Sequence, residues 1–336
     1  MSIEYNLRLW PGGDRKAPEA QGVSVVMPVY NEHDNLEPLH ARVTAVLKRM
    51  ECEYEVIYVD DGSTDGSWEV LRLLAVADPR VRLVRLRKNF GQTPATAAGI
   101  AHSRHPVLIT LDADGQNDPE DIPRLVSVLG SDYDVVSGWR RDRKDSWLTR
   151  RLPSMIANAM IRWITGVKLH DFGCTLKAYR REIVDDVRLY GEKHRFLPVL
   201  AAWVGGRITE LEVMHHSRMR GVSKYSILRA YKVLIELFTL KFMGDFATRP
   251  NYVFGGFGLV SFLLGLAALG RVAYRYVFHG QREVTSMTVL MAVLFLSGIL
   301  SILMGFLAEL IIRASHDSQR KRSYYVRETV NVDKNR

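Results

Sequence analysis

Cysteine is almost missing. The 336 residues contain two, Cys52 and Cys174, far apart and without metal-ligand spacing. That excludes a disulfide framework and a structural zinc site, and predicts reduced thiols in a cytosol-facing domain. The first residues, MSIEYNLRLWPGGDRKAPEAQG, lack an apolar stretch, so no signal peptide is expected and residues 1–22 read as a loose arm. Neither G-x-G-x-x-G nor G-x-x-x-x-G-K-[ST] occurs, which removes the dinucleotide and P-loop ways of holding phosphate.

Hydrophobic content is 47% and charged content 25%, with a net charge of +9. Charged and apolar residues alternate up to about residue 250. Two long uncharged runs then follow, Tyr252 to Gly270 and Val284 to Ala308. At about 1.5 Å per residue, each is long enough to cross a bilayer as a helix. Basic residues sit beside apolar helices and spans, so an anionic membrane surface, not nucleic acid, is the expected partner of the positive charge.

From residue 23 onward, β-branched runs alternate with helical patterns. VSVVMPV ends in Tyr30-Asn31-Glu32, and YEVIYVD ends in Asp60-Asp61-Gly62-Ser63, with Ser63 or Thr64 predicted to cap the next helix. VRLVRL leads into NFGQTPATAAG, whose small residues let a helix lie close on a sheet. PVLITLDAD carries Asp112, Ala113 and Asp114, and YDVVSGW is a fifth strand. This order predicts an α/β fold with a mostly parallel sheet. Ligand crevices of such sheets lie at the strands' carboxyl ends, where the three polar clusters should meet. An acidic turn capping the helix at Pro119 is the competing reading of an isolated D-x-D. With the other clusters beside it, the pair reads as a site for a hard cation and a diphosphate, and oxygen ligands suit Mg²⁺ or Mn²⁺.

VMPVYNE, VDDGSTDGS, NFGQTPATAAG, LDADGQNDPEDIP, GCTLKAYRREI, RFLPVLAAWVGGRITELEV and GVSKYS together resemble a family-2 glycosyltransferase of the GT-A fold. With two C-terminal spans, the chain resembles the polyprenyl-phosphate glycosyltransferases over residues 23 to about 327. The resemblance implies that Pro28, Tyr30, Glu32 and Gln92 line the donor pocket and that Asp60 and Asp61 read the base. It implies that Asp112, Asp114 and Gln116 hold the metal and diphosphate, and that Asp171 in HDFGC is a second catalytic carboxylate beside Asp114, orienting the acceptor or a sugar hydroxyl or acting as a weak base; a helix-capping Asp is the competing reading. Gly115 stands where several relatives carry a bulky apolar residue, which is expected to loosen the loop. The resemblance also implies a homotetramer.

The acceptor side follows from charge and periodicity. RRDRKDSWLTRR, residues 140–151, holds six basic residues. The stripe after it, Leu152, Met155, Ile156, Ala159, Met160, Trp163 and Ile164, predicts either a core-facing or an interfacial helix. Ile227, Leu228, Tyr231, Leu234, Ile235 and Phe238 form a second such face. Arg140, Arg150, Arg151, Arg218, Ser223 and Lys224 are the candidates for gripping a lipid phosphate. A phosphomonoester has a second pKa near ~6, so its oxygen attacks the anomeric carbon directly, with inversion and without a strong base. The metal would stabilise the departing nucleoside diphosphate.

The predicted order is therefore an arm (1–22), a catalytic domain (23–215), an acceptor segment (216–250), two membrane helices (251–313) and a basic cytoplasmic tail (314–336). The expected enzyme sits in a bacterial inner membrane with both termini cytoplasmic. It moves a sugar from a nucleotide sugar to undecaprenyl or dolichyl phosphate. UDP-glucose ranks first as donor, then GDP-mannose and a UDP-linked amino sugar. A processive polysaccharide synthase would need a Q-x-x-R-W motif and more spans. A non-catalytic membrane-anchored binding protein would not need the intact D-x-D, VDDGS and GVSKY segments.

Overall fold

β-branched residues dominate VSVVMPV, and in the computed structural model this run is strand β1, Val23–Val29, buried at every position but Pro28. The structure describes residues 22–130, 132–141, 152–187, 193–216, 250–280, 286–318 and 323–332. Strands β2 (Tyr54–Asp60), β3 (Val81–Leu86) and β4 (Val107–Thr110) join β1 in parallel, in the spatial order β3-β2-β1-β4. The strands are apolar on both faces because both faces are covered. Val23, Val25, Met27 and Val29 pack with apolar residues of helices α1 (His33–Arg49) and α2 (Ser67–Ala77). Val26 packs on the opposite side with Ala95 and Ala98 of α3 (Gln92–Ala101).

The small residues of α3 do what their size predicts. A Cβ on Gly99 would lie 2.3 Å from Val26 Cγ1 and 3.1 Å from Val59 Cγ2, both on stiff, buried β-branched side chains. Gly99→Val is therefore expected to cost about 1–3 kcal/mol by overpacking, read as a lower denaturation midpoint.

Beyond β4 the sheet becomes mixed. A 3-10 turn (Pro119–Asp121) and α4 (Ile122–Val128) lead to β5 (Val135–Trp139), and α5 (Leu152–Thr165) follows. Strand β6 (Lys177–Arg180), α6 (Arg181–Asp185), α7 (Leu197–Trp203) and β7 (Ile208–Glu212) complete this half. Strand β6 is antiparallel to both β4 and β5, and β7 is parallel to β5. Because β6 runs backwards, its first residue, Lys177, lies at the edge where β4 ends, in register with Thr110.

The far edge differs from the sequence expectation. Where the pattern predicts only a basic tail, Val326–Val330 forms β8, antiparallel to β3, and the full order is β7-β5-β6-β4-β1-β2-β3-β8. Asn331 fastens it, donating from Nδ2 to Ala75 O and Val81 O at 2.9 Å and accepting at its carbonyl from Arg82 Nε at 3.1 Å. Arg82 also pairs with buried Glu55 at 2.7 Å. Burial raises the Glu55 carboxyl, but hydrogen bonds from Ser24, Arg104 and Arg82 outweigh it and hold the pKa below its ordinary value.

One other element departs from expectation. Ser63 and Thr64 do not cap α2. That helix starts after Gly66 at φ +88, and Asp65 Oδ1 accepts from Ser67 N and Oγ. Of the two readings of helix α5, the core-facing one does not hold along the described side chains of its stripe. Met155 and Trp163 are 61% and 86% exposed, while Ile161, among the described side chains, is turned inward.

The sheet and its helices form one compact unit with residues from 322 onward; residues 234–321 form the second. In the second unit α8 (Pro250–His279) and α9 (Ser286–Ser318) are each long and apolar enough to cross a membrane. Helix α8 continues past the uncharged run through Arg271 and Arg275. The two helices meet through small residues: Gly258 faces the Gly298 carbonyl, where an added Cβ would approach to 2.9 Å, and Phe262 meets Phe295 edge-on at 5.0 Å. Close backbone approach at glycine is the usual way apolar helices pair in lipid. Most of their large side chains face outward.

Candidate active site

The first loops at the carboxyl edge are laced together. Asn31 sits at φ +56, a conformation asparagine tolerates, donates its N–H to Ser63 Oγ at 3.0 Å, and accepts from Thr64 N at 2.8 Å. Tyr30 beside it is 43% exposed. Glu32 accepts from Asn35 Nδ2 at 2.6 Å, and its N–H donates to Ser67 Oγ. Asp60 does not reach the crevice. It is fully buried, accepts from Ser63 N at 3.0 Å, and lies 3.3 Å from Arg85 Nε without a hydrogen bond to it. Asp61 accepts from Phe90 N at 2.7 Å and Gly91 N at 2.9 Å, so it shapes the loop before α3. Burial pushes its carboxyl up to about 6 against those two bonds and with the charge of Asp60 adding to it.

The D-x-D segment is separate from the helix cap. Asp118 is the cap, accepting from Glu120 N at 3.0 Å, and it also binds Arg42 at 2.7 Å and His216 Nε2 at 2.6 Å. Asp112 and Asp114 are thereby left to other work. Asp112 accepts from Gln92 Nε2 at 2.7 Å. Burial, then the neighbouring charge of Asp114, holds the Asp112 carboxyl well above the usual carboxylate range. Gly115 does not loosen the loop. It sits at φ +69, the left-handed region that a bulky side chain strains. On its two sides Asp114 Oδ1 accepts from Gln116 N at 3.1 Å, and Gln116 O accepts from His216 N at 2.8 Å.

Two carboxylates that repel one another in a half-buried loop are stabilised by a cation. Among the described residues no group of three or more His, Cys, Asp and Glu gathers around one point. Asp112 and Asp114 fit an open site, one whose metal shares its coordination with diphosphate oxygens and water.

Next to Asp112 lies a cavity of about 370 Å³, counting the open space at its mouth, lined by Pro28, Gln92, Asp112, Thr175, Lys177 and Arg195 among others. Lys177 is 3% exposed, and its Nζ donates to Phe172 O at 3.2 Å. Burial pushes its ammonium down to about 8. Cys174, also on the lining, is buried with its thiol pushed up to about 11, which leaves it unreactive. Neither Lys177 nor Arg195 stands out in the sequence. One sits inside GCTLKAYRREI and the other opens RFLPVL, and the available signal was a cation flanked by residues destined for the interior.

Two residues given different roles by the sequence turn out to be partners. Arg140, at the end of β5, donates from Nε to Asp171 Oδ2 at 2.7 Å and from Nη2 to Asp171 Oδ1 at 3.1 Å, with both side chains nearly buried. Gly173 N also donates to Asp171 Oδ1 at 3.0 Å. Asp171 therefore holds Arg140 in place and has both oxygens engaged. Arg150, Arg151, Arg218, Ser223 and Lys224 lie outside the described residues.

The model of glycosyl transferase family 2 matches residues 24–188. Dodecaprenyl-phosphate galacturonate synthase of Rhizobium johnstonii is 41% identical, over 91% of this chain and 92% of that protein. Undecaprenyl-phosphate 4-deoxy-4-formamido-L-arabinose transferase of Proteus mirabilis is 39% identical, over 93% of this chain and 95% of that protein. Among solved structures, glucosyl-3-phosphoglycerate synthase of Mycobacterium tuberculosis, crystallised with Mn²⁺, UDP and phosphoglyceric acid, shares the fold. Its TM-score is 0.52 at 18% identity, covering 67% of this chain and 80% of that one. The sheet with its acidic carboxyl edge, the apolar helix pair and these relatives converge: the chain belongs to glycosyl transferase family 2, among the polyprenyl-phosphate sugar transferases.

Proposed function

We propose that the enzyme moves the sugar of a nucleotide sugar onto the phosphate of a polyprenyl phosphate by direct, inverting displacement. The observation that carries this is the pairing of Asp112 and Asp114 beside a cavity whose remaining charges are cationic. A phosphate oxygen of the lipid forms the new bond to the anomeric carbon. The bond from that carbon to the diphosphate oxygen breaks, and its electron pair leaves with the nucleoside diphosphate. Asp112, Asp114 and Gln116 would hold Mg²⁺ or Mn²⁺, which supplies charge neutralisation for the leaving diphosphate. Pro28, Tyr30, Glu32 and Gln92 line the donor side, and Asp61 supports it by shaping the loop before α3. Arg140 would bind the acceptor phosphate, a role also proposed for Arg150, Arg151, Arg218, Ser223 and Lys224, which lie outside the described residues. Asp171 acts by orienting Arg140 and not as a base, since both its oxygens accept hydrogen bonds already.

UDP-glucose finds no support in the two relatives, whose names carry galacturonate and formamido-arabinose. A homotetramer likewise finds no support. An integral membrane placement with the catalytic domain and both termini cytoplasmic is supported by β8. The chain leaves the sheet before α8 and returns to the same sheet after α9, which suits an even number of crossings. The exposed stripe of α5 suits the membrane interface.

The test uses purified protein, a panel of labelled UDP- and GDP-sugars, and undecaprenyl or dolichyl phosphate. Label is expected in a lipid product, lost with EDTA and restored by Mn²⁺ or Mg²⁺. Formation of a polymer, or no transfer from any donor, would sink this reading.

A further inference from the structure

The cavity holds more positive charge than its own residues neutralise. Lys177 is buried on a central strand, and among the described residues its ammonium has no carboxylate within ion-pair distance; a backbone carbonyl is its hydrogen-bond partner. Asp171 is near enough to act on it electrostatically but is already doubly bound by Arg140. Arg195, half-buried on the same lining, makes no hydrogen bond or ion pair among the described residues, and its charge acts on Asp112. The single carboxylate on the described lining is Asp112, which belongs to the cation site. A buried charge without a counter-ion is costly, so Lys177, with the half-buried Arg195 beside it, suits an anion that arrives with a ligand.

The strand position of Lys177 is offset from the acidic pair. Lys177 is in register with Thr110, two residues before Asp112. At about 3.3 Å per residue, its backbone lies some 6–7 Å further into the sheet than the acidic pair that faces the diphosphate. The neutral lining, Gln92, Thr96 and Thr175, offers amide and hydroxyl groups of the kind that bind sugar hydroxyls. We propose that the donated sugar is a hexuronic acid, whose carboxylate is received by Lys177 and Arg195. This rests on the transferase reading above and names its substrate class.

The experiment compares UDP-glucuronate and UDP-galacturonate with UDP-glucose and UDP-galactose as donors to polyprenyl phosphate, using the full chain with Mn²⁺. The uronates are expected to exceed their neutral counterparts in kcat/KM by about 10–100-fold, the discrimination that charge-assisted hydrogen bonds provide. Lys177→Met and Arg195→Met are each expected to reduce that ratio about tenfold, through the uronate KM, with the affinity for UDP itself unchanged by calorimetry. Two variants are used so that a folding failure in one leaves the other informative. Equal use of hexoses and uronates by the wild type overturns the inference and leaves the transferase reading intact. Loss of UDP affinity in the variants assigns the cations to the diphosphate and also overturns it. A defect that follows the polyprenyl phosphate KM assigns them to the acceptor, with the same consequence. No transfer from any donor overturns the transferase reading and this inference together.

Discussion

Asp114→Asn is expected to lower kcat for sugar transfer by about 10²–10³-fold while leaving the fold as it is. The size follows from removing one of two charges that hold the cation against the leaving diphosphate. The choice of asparagine follows from the local geometry. Asp114 Oδ1 accepts from Gln116 N at 3.1 Å and closes the turn around Gly115. An amide oxygen accepts that bond equally well, so the turn survives and the charge alone is lost. Alanine would remove both, and a loss of activity could then reflect a distorted loop. Turnover at saturating donor and Mn²⁺, read beside thermal unfolding, checks it. An asparagine variant that transfers sugar at the wild-type rate would remove Asp114 from the site.

Asp171→Ala is expected to destabilise the catalytic domain by about 3–5 kcal/mol, because it leaves the Arg140 guanidinium nearly buried without its counter-ion. The paired replacement Arg140→Met with Asp171→Leu removes both charges, and should recover most of that loss, since well-packed apolar residues replace a buried ion pair at little cost. Transfer is expected to stay low in both, because neither keeps a placed guanidinium for the acceptor phosphate. Denaturation curves and initial rates on the same preparations separate the two contributions. Recovery of stability and transfer together in the double variant would reduce the pair to a structural tie.

Much of the site was legible because parallel sheets deliver chemistry at strand ends. Apolar runs closing in Tyr30-Asn31-Glu32, Asp60-Asp61 and Asp112-Ala113-Asp114 locate the crevice without any coordinates. Orientation was not legible. Asp60 and Asp61 are neighbours on the chain, yet Asp60 is turned inward to Ser63 and Arg85 while Asp61 binds the loop before α3. Gly115 is similar: read as a missing side chain it loosens the loop, and read with its φ of +69 it is what the turn requires.

By itself, the sequence determined the elements whose signal is local. Those are the buried strands, the close-packed α3 with Gly99, the two long apolar helices and the family that the combined motifs match. Tertiary structure alone decided three pairings between distant segments. Arg140 meets Asp171, 31 residues on. The C-terminal strand β8 closes the edge at β3. Lys177 comes to the donor edge because β6 runs backwards between β4 and β5. The physical reason is the same in each case. Periodicity and propensity report on neighbours along the chain, whereas a buried charge finds its partner by the direction and order of strands, which no local pattern encodes.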